Sequence, residues 1–310
     1  MEEPHRIVFF GSGDFAFLIL KNLIEKGVRI ELVVTAPDKP GGRGRKPRPT
    51  PVKVLASESG MRVITPESPN RSAGFEAIKA IKPDFFVLTD YGKIISKRLL
   101  DVPSKAPLNI HPSLLPAYRG AAPMERAMMA CERRTGVTVM VMDTGIDTGP
   151  ILLQEATTIG EIETRGELAV RLAEIGTRLI LRAINEFDKL TPKPQPSRGV
   201  SYAPKITKDE LWIDWNSSAM SIACKINALS PRPGARTYFD GNYVKPLRAR
   251  FVEGDWGTPG RVHIIDKKRL VVAARGGGVE ILEIMPSGRR AMRADEYLRG
   301  HSPLEASSNQ

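Results

Sequence analysis

The sequence predicts an α/β protein of two domains, a doubly wound N-terminal sheet followed by a smaller C-terminal β-barrel. Three observations predict it. Over the first ~155 residues, short β-rich runs alternate with amphipathic stretches, the pattern of a mostly parallel sheet covered by helices. From Leu190 to Ile206 that pattern breaks, with Pro192, Pro194, Pro196 and Pro204 among Lys, Ser and Gly, as in an extended linker of limited flexibility. Beyond it, strand-like runs follow one another with turn signals between them.

In order along the chain, the expected strands of the first domain are Arg6–Phe10, Val28–Thr35, Met61–Ile64, Asp84–Thr89, Pro107–Ile110, Val137–Asp143 and Ile151–Gln154. A helix carrying Ala16, Leu20, Leu23 and Ile24 on one face follows the first strand, with Gly27 placed to cap its end. Thr164 and Glu167 fit a capping box, and Leu168, Leu172, Ile175, Leu179 and Ala183 recur at helical spacing behind it. After the linker a short helix around Ala219–Leu229 precedes strands at Arg236–Phe239, Leu247–Val252, Arg261–Ile265, Leu270–Ala274 and Val279–Met285. Five short strands in a basic segment of ~100 residues suggest a small barrel of the oligonucleotide-binding (OB-like) type. The expected division is a Rossmann-like catalytic domain over 1–189, a linker over 190–208 and an OB-like domain over 209–310.

The chain has 310 residues, 46 of them Lys or Arg and 35 Asp or Glu, a net charge of +11. Residues 1–189 hold 27 basic and 23 acidic residues (+4), whereas 190–310 hold 19 and 12 (+7), so the smaller part is the more cationic. Such an excess favours a polyanionic partner through counterion release. No apolar run is long enough to span a bilayer, and the N-terminus runs directly into Ile7-Val8-Phe9-Phe10, without the pattern of a signal peptide. Cys131 and Cys224 stand far apart without CxxC partners, so two reduced, packed thiols are expected, and with them a reducing cytoplasm; the missing presequence points to a bacterial protein. No assembly helix is evident, which favours a monomer. His5, His263 and His301 lack ligand spacing, so no metal site is expected.

Three constellations could carry chemistry. Gly11-Ser12-Gly13-Asp14-Phe15-Ala16 satisfies the dinucleotide fingerprint, with Asp38 lying 22 residues beyond Ala16, so an NAD(P) oxidoreductase is one rival reading. Against it, Asp38 opens a loop, and Asp14 places negative charge where a pyrophosphate would need the helix N-terminus. The segment Asp38 to Lys53 carries six basic residues against one acid, with three glycines and four prolines. It is expected to be a long exposed loop without helix or strand, able to meet phosphate-rich substrate. Third, Asn109 and His111 alternate onto one side of a strand, and Val137–Asp143 ends in a turn presenting Asp147. An amide, an imidazole and a carboxylate converging there could stabilise an oxyanion and move a proton. Their spacing alone does not require that they meet.

The segments Asn109-x-His111-x-Ser113-Leu114-Leu115-Pro116-x-Tyr118-Arg119-Gly120-Ala121-Ala122-Pro123 and Asp143-x-Gly145-x-Asp147-x-Gly149 resemble those of the folate-dependent formyltransferases. Pro37–Lys46, Pro51–Ala56, Tyr202–Ile206 and Leu229–Ala235 extend the likeness from about residue 5 to 300, toward the members whose acceptor is methionyl-initiator tRNA. Other members act on sugar nucleotides or glycinamide ribonucleotide, the alternative within the enzyme class. The resemblance implies 10-formyltetrahydrofolate as formyl donor, Asn109, His111 and Asp147 as the catalytic trio, and Ser113, Leu114, Leu115 and Pro116 as the folate-binding stretch. It implies that Arg43, with Arg45 and Lys46 in the same cationic loop, meets the tRNA. The chain departs from the family at Gly13, where Pro is usual, at Pro112, where Gly is frequent, and at Asp90, where a small apolar residue is normal.

Overall fold

The computed structural model describes residues 5–41 and 46–307. The chain divides into two compact units: Met1–Ala121, Gly136–Ala156 and Ala169–Ala203 form the first, and Ala122–Thr135, Thr157–Leu168 and Pro204–Gln310 the second.

The chain begins β1 (Ile7–Phe10), α1 (Asp14–Glu25), β2 (Ile30–Val34), β3 (Lys39–Gly41), β4 (Lys46–Arg48), α2 (Pro51–Glu58), β5 (Val63–Ile64) and α3 (Ser72–Lys79). It continues through β6 (Phe85–Leu88), α4 (Lys97–Leu100), β7 (Ala106–His111), β8 (Arg119–Gly120), α5 (Pro123–Met129), β9 (Arg134–Val141), β10 (Ile151–Thr158), α6 (Arg165–Asn185) and β11 (Tyr202–Ala203). The main sheet has the order β10-β9-β7-β6-β1-β2-β5. β5, β2, β1, β6 and β7 pair in parallel, and β9 runs antiparallel to β7. β1 and β6 are buried at every position, as continuous apolar runs must be in a sheet covered on both faces. Val8, Phe10, Leu32, Val34, Phe86 and Leu88 share one core cluster. The chain steps from β1 outward through β2 to β5 and returns to β6 on the other side of β1. The switch point therefore lies between β1 and β6, where the loops after both strands meet: Ser12 and Gly13 donate their backbone N–H groups to the Asp90 carbonyl, at 3.0 and 3.2 Å.

Each strand expected in this part forms, with ends moved by a few residues. The Asp38–Lys53 segment is a correction: β3 and β4 pair as a hairpin, and α2 begins at Pro51. Pro40 faces Pro47, flanked by Lys39–Arg48 and Gly41–Lys46. In an alternating antiparallel ladder both prolines can occupy the pair that exchanges no hydrogen bonds, so neither missing N–H is called for. Thr50 then caps α2, its hydroxyl accepting from Lys53 N at 3.0 Å, with Pro51 at the first helical position. Lys53 Nζ also holds both Asp38 oxygens, at 2.7 and 2.9 Å.

The linker-like stretch is closely bonded within the first unit. Lys193 exchanges two backbone hydrogen bonds with Ile151, at 2.7 and 2.8 Å, and Tyr202–Ala203 pairs in parallel with Arg119–Gly120.

The second unit holds α7 (Ala219–Leu229), β12 (Thr237–Phe239), β13 (Asn242–Val252), β14 (Val262–Ile265), β15 (Arg269–Ala274), β16 (Gly277–Pro286), β17 (Met292–Arg293), α8 (Ala294–Leu298) and β18 (Ala306–Ser307). Its antiparallel sheet, OB-like in kind, follows the path β14-β15-β16-β13-β12-β18, with β17 on β16. α7 is sewn to β13 by Asn227, whose amide donates to Ala249 O and accepts from Ala249 N at 2.8 and 2.9 Å. Ile222, Ile226, Leu229, Ala249, Val279 and Ile281 lie in one core below it. The expected capping box forms: Thr164 N reaches Glu167 Oε2 at 2.9 Å and Glu167 N reaches Thr164 Oγ1 at 3.4 Å.

The cysteines are a second correction. α5 and α7 pack together and bring Cys131 and Cys224 to a Cα separation of 5.6 Å, where they form a disulfide spanning 93 residues. Sequence distance conceals that contact because it arises only when the two helices dock. The thiols therefore give no argument for a reducing compartment. Among the described residues, no helix is long and apolar enough to cross a membrane.

Candidate active site

β7 fixes the first two site residues. Leu108 and Ile110 point into the core, fully or almost fully buried, while Asn109 is half-buried. His111, at the strand end, is itself buried. Asn109 lies opposite Leu88 on one side and Met140 on the other, and His111 lies opposite Thr138, so strands on both sides set the register of this pair.

The third residue comes from the loop after β9. Asp143 organises that loop from within: its Oδ1 accepts from Gly145 N at 3.0 Å and from Thr148 Oγ1 at 2.7 Å, an Asx-type turn. Asp147 then turns inward at φ +52°. A Cβ on Gly149 would stand 1.9 Å from the Val141 carbonyl oxygen, so only glycine lets the returning chain pass this close. The Asp147 carboxylate accepts from Gly120 N at 2.8 Å, approaches Asn109 Nδ2 at 3.5 Å and faces His111 Nδ1 at 3.6 Å. Asn109, His111 and Asp147 thus stand together although 38 residues separate the first from the last.

His111 Nε2 lies 2.9 Å from the Tyr118 carbonyl oxygen. A carbonyl can only accept, so Nε2 carries its hydrogen and the ring's working nitrogen is Nδ1, on the Asp147 side. At 3.6 Å the carboxylate stands just beyond direct hydrogen-bond reach of Nδ1, close enough for a small closing movement to join them. An amide N–H, an imidazole nitrogen able to give or take a proton and a carboxylate suit a formyl group undergoing attack by an amine.

Of the stretch expected to bind folate, Ser113, Leu115 and Pro116 are buried and Leu114 is half-buried. The Ser113 hydroxyl donates to Ala117 O at 2.7 Å, and Thr138 ties the segment to β9 by donating to Ser113 O at 2.7 Å and accepting from Leu115 N at 3.2 Å. Arg43 and Arg45 lie outside the described residues, and Lys46 opens β4.

Sequence reasoning missed three contributors. Two are main-chain groups, the Gly120 N–H and the Tyr118 carbonyl, which no side-chain pattern announces. The last is Gln195. It sits between two prolines without periodicity, yet its amide reaches the Asp147 loop.

The glycine turn after β1 does not make a dinucleotide site. Were Gly13 to carry a Cβ, that atom would lie 1.9 Å from an Asp90 carboxylate oxygen, so this carboxylate lies against the loop that would cradle a pyrophosphate. Asp14 adds a second negative charge in the first turn of α1.

The chain belongs to the formyl transferase family, a class of group-transfer enzymes: the profile described as "Formyl transferase" matches residues 5–184, and "Formyl transferase, C-terminal domain" matches 205–302. Within it, the chain is similar to a methionyl-tRNA formyltransferase of Cereibacter sphaeroides, 45% identical over 95% of this chain and 96% of the relative. It is 42% identical to that of Carboxydothermus hydrogenoformans, over 96% and 97% of the two chains. Among solved structures, the sugar 3N-formyltransferase WlaRD, determined with dTDP and 5-N-formyl-THF, superposes with a TM-score of 0.65 at 18% identity, over 93% of this chain and all of that one. HypX from Aquifex aeolicus, in complex with tetrahydrofolic acid, gives a TM-score of 0.66 at 19% identity, over 96% of this chain and 47% of that one. These two likenesses establish the fold.

Proposed function

We propose that this chain transfers the formyl group of 10-formyltetrahydrofolate to the α-amine of methionyl-initiator tRNA, for translation initiation in the cytoplasm. One observation carries the reading: the meeting of Asn109, His111 and Asp147, with Asp147 within 3.5 Å of the first and 3.6 Å of the second. The neutral amine adds its lone pair to the formyl carbon, and the carbonyl π pair moves onto oxygen. The Asn109 amide and the protonated Nδ1 of His111 stabilise that oxyanion. The nitrogen's excess proton passes to Asp147, directly or through one water. Collapse of the intermediate breaks the bond to N10 of the folate, which leaves with a proton returned from the site.

Ser113, Leu114, Leu115 and Pro116 line the folate side in this reading, with Leu114 the least enclosed. Arg43, Arg45 and Lys46 meet the acceptor end of the tRNA, and the basic segment 209–310 holds its phosphates. A small acceptor amine, on a sugar nucleotide or glycinamide ribonucleotide, would need neither. The catalytic domain is 1–189, joined to the tRNA-binding domain by 190–208.

The test mixes protein, formyl donor and methionyl-initiator tRNA and looks for formyl-methionine. Wild type forms it. Asn109→Ala lowers kcat about 10²–10³-fold, the usual effect of losing one oxyanion donor. Asp147→Asn is also strongly impaired, because charge and His111 orientation are lost together. Near-native turnover in both variants would falsify the assignment.

A further inference from the structure

We propose that Gln195 is a positioning residue for Asp147, clamping the backbone on which the carboxylate stands. The proposal rests on the acyl-transfer reading above and deepens it.

Asp147 occupies the left-handed region, at φ +52°, a conformation that costs a non-glycine residue free energy even if aspartate tolerates it better than most. Gln195 holds it there. Its Nε2 donates to the carbonyl oxygens of Asp147 and Gly149, both at 2.8 Å, so one amide group brackets the turn. Its Oε1 accepts from Arg119 Nε at 3.1 Å and Nη2 at 2.7 Å. All four hydrogen-bonding positions of the side-chain amide are used. The amide cannot be turned over, since that would set its NH₂ against a guanidinium and its oxygen against two carbonyls.

Arg119 is followed by Gly120, whose N–H holds Asp147 Oδ2 at 2.8 Å. The dipeptide thus reaches Asp147 twice, at the carboxylate directly and at the backbone through Gln195. The chain carrying Gln195 is itself anchored on both sides. Lys193 exchanges backbone bonds with Ile151, Ser201 Oγ accepts from Tyr118 N at 2.9 Å, and Tyr202–Ala203 pairs with Arg119–Gly120. The proline-rich stretch is therefore a strap across two loops, and Gln195 is its contact with the catalytic one. Fixing both loops in advance of substrate keeps a small displacement from reaching the acid–base pair.

Two variants test this. Gln195→Met keeps the length of the side chain and removes all four hydrogen bonds. Gln195→Glu keeps an acceptor for Arg119 but sets an oxygen against the two carbonyls. Each is expected to lower kcat about 10–100-fold, the scale of a misplaced catalytic group, with KM for the formyl donor and for methionyl-tRNA changed less than about threefold. Amide hydrogen exchange over residues 143–150 should quicken in both, and elsewhere stay as in wild type. In an Asp147→Ala background, Gln195→Met should cost nothing further, because its effect passes through Asp147. Unchanged exchange over 143–150, or an equal loss of kcat with and without Asp147, overturns the proposal. A wild-type protein that forms no formyl-methionine would instead overturn the functional reading, and the exchange measurement would still decide the role of Gln195.

Discussion

Gly13 and Asp90 lie 77 positions apart in sequence and turn out to be one feature. Gly13 sits at φ −89° and ψ −172°, a conformation open to any residue, so glycine is not demanded by the backbone. A Cβ there would instead meet Asp90, whose carboxylate oxygen would lie 1.9 Å away, on an exposed side chain that can turn aside. Bulk thus stands on the second loop and none on the first. Gly13→Ala is therefore expected to turn the exposed Asp90 side chain to another rotamer, at a cost of about 1 kcal/mol or less. In an Asp90→Ala background the same change should cost nothing, so a urea-unfolding cycle should show a coupling equal to that single-variant cost. Strictly additive effects would show that the two loops do not share this space. Each departure was legible in the sequence, but the pairing was not, since it depends on the loops after β1 and β6 meeting at the switch point. Asn109 and His111 were legible for the opposite reason: strand alternation alone puts them on one side.

At the scale of elements, apolar runs long enough to define a period were read correctly, and short irregular pieces were not. β1, β2, β6 and α1 follow from continuous or helical apolar spacing. The β3–β4 hairpin did not, because its prolines forbid most ladders and fit only when they oppose each other. Helix docking is equally invisible to local pattern, and the Cys131–Cys224 link is its consequence. A disulfide closing 93 residues restricts the unfolded chain, by about 4–5 kcal/mol on chain-entropy grounds and about 2–5 kcal/mol in common experience. Thiol titration of the denatured, unreduced protein should find no free thiol. Reduction, or Cys224→Ser, should lower the urea midpoint, and an unmoved midpoint would mean that the link contributes nothing to holding α5 against α7.

Over the whole molecule the net charge of +11 was read as a sign of polyanion binding, yet individual cations also hold the second unit together. The Arg248 guanidinium beside Glu167, aided by hydrogen bonds from Thr164, holds that carboxyl down at about 2. Arg126, aided by Thr207, does the same for Glu210, also to about 2. Both carboxyls would titrate near 4.5 in the unfolded chain. Between those values the unfolded chain binds more protons than the folded one, so stability rises with pH across the window. The contribution is complete above about pH 4.5 and is lost as pH falls toward 2. Both side chains are partly exposed, 51% for Glu167 and 32% for Glu210, so solvent screening reduces what each contributes. Unfolding midpoints in urea at pH 6, 4.5 and 3 should therefore fall most steeply over the last interval. Arg126→Met and Arg248→Met should each flatten that fall, and a slope identical to wild type in both would assign the acid sensitivity to other carboxylates.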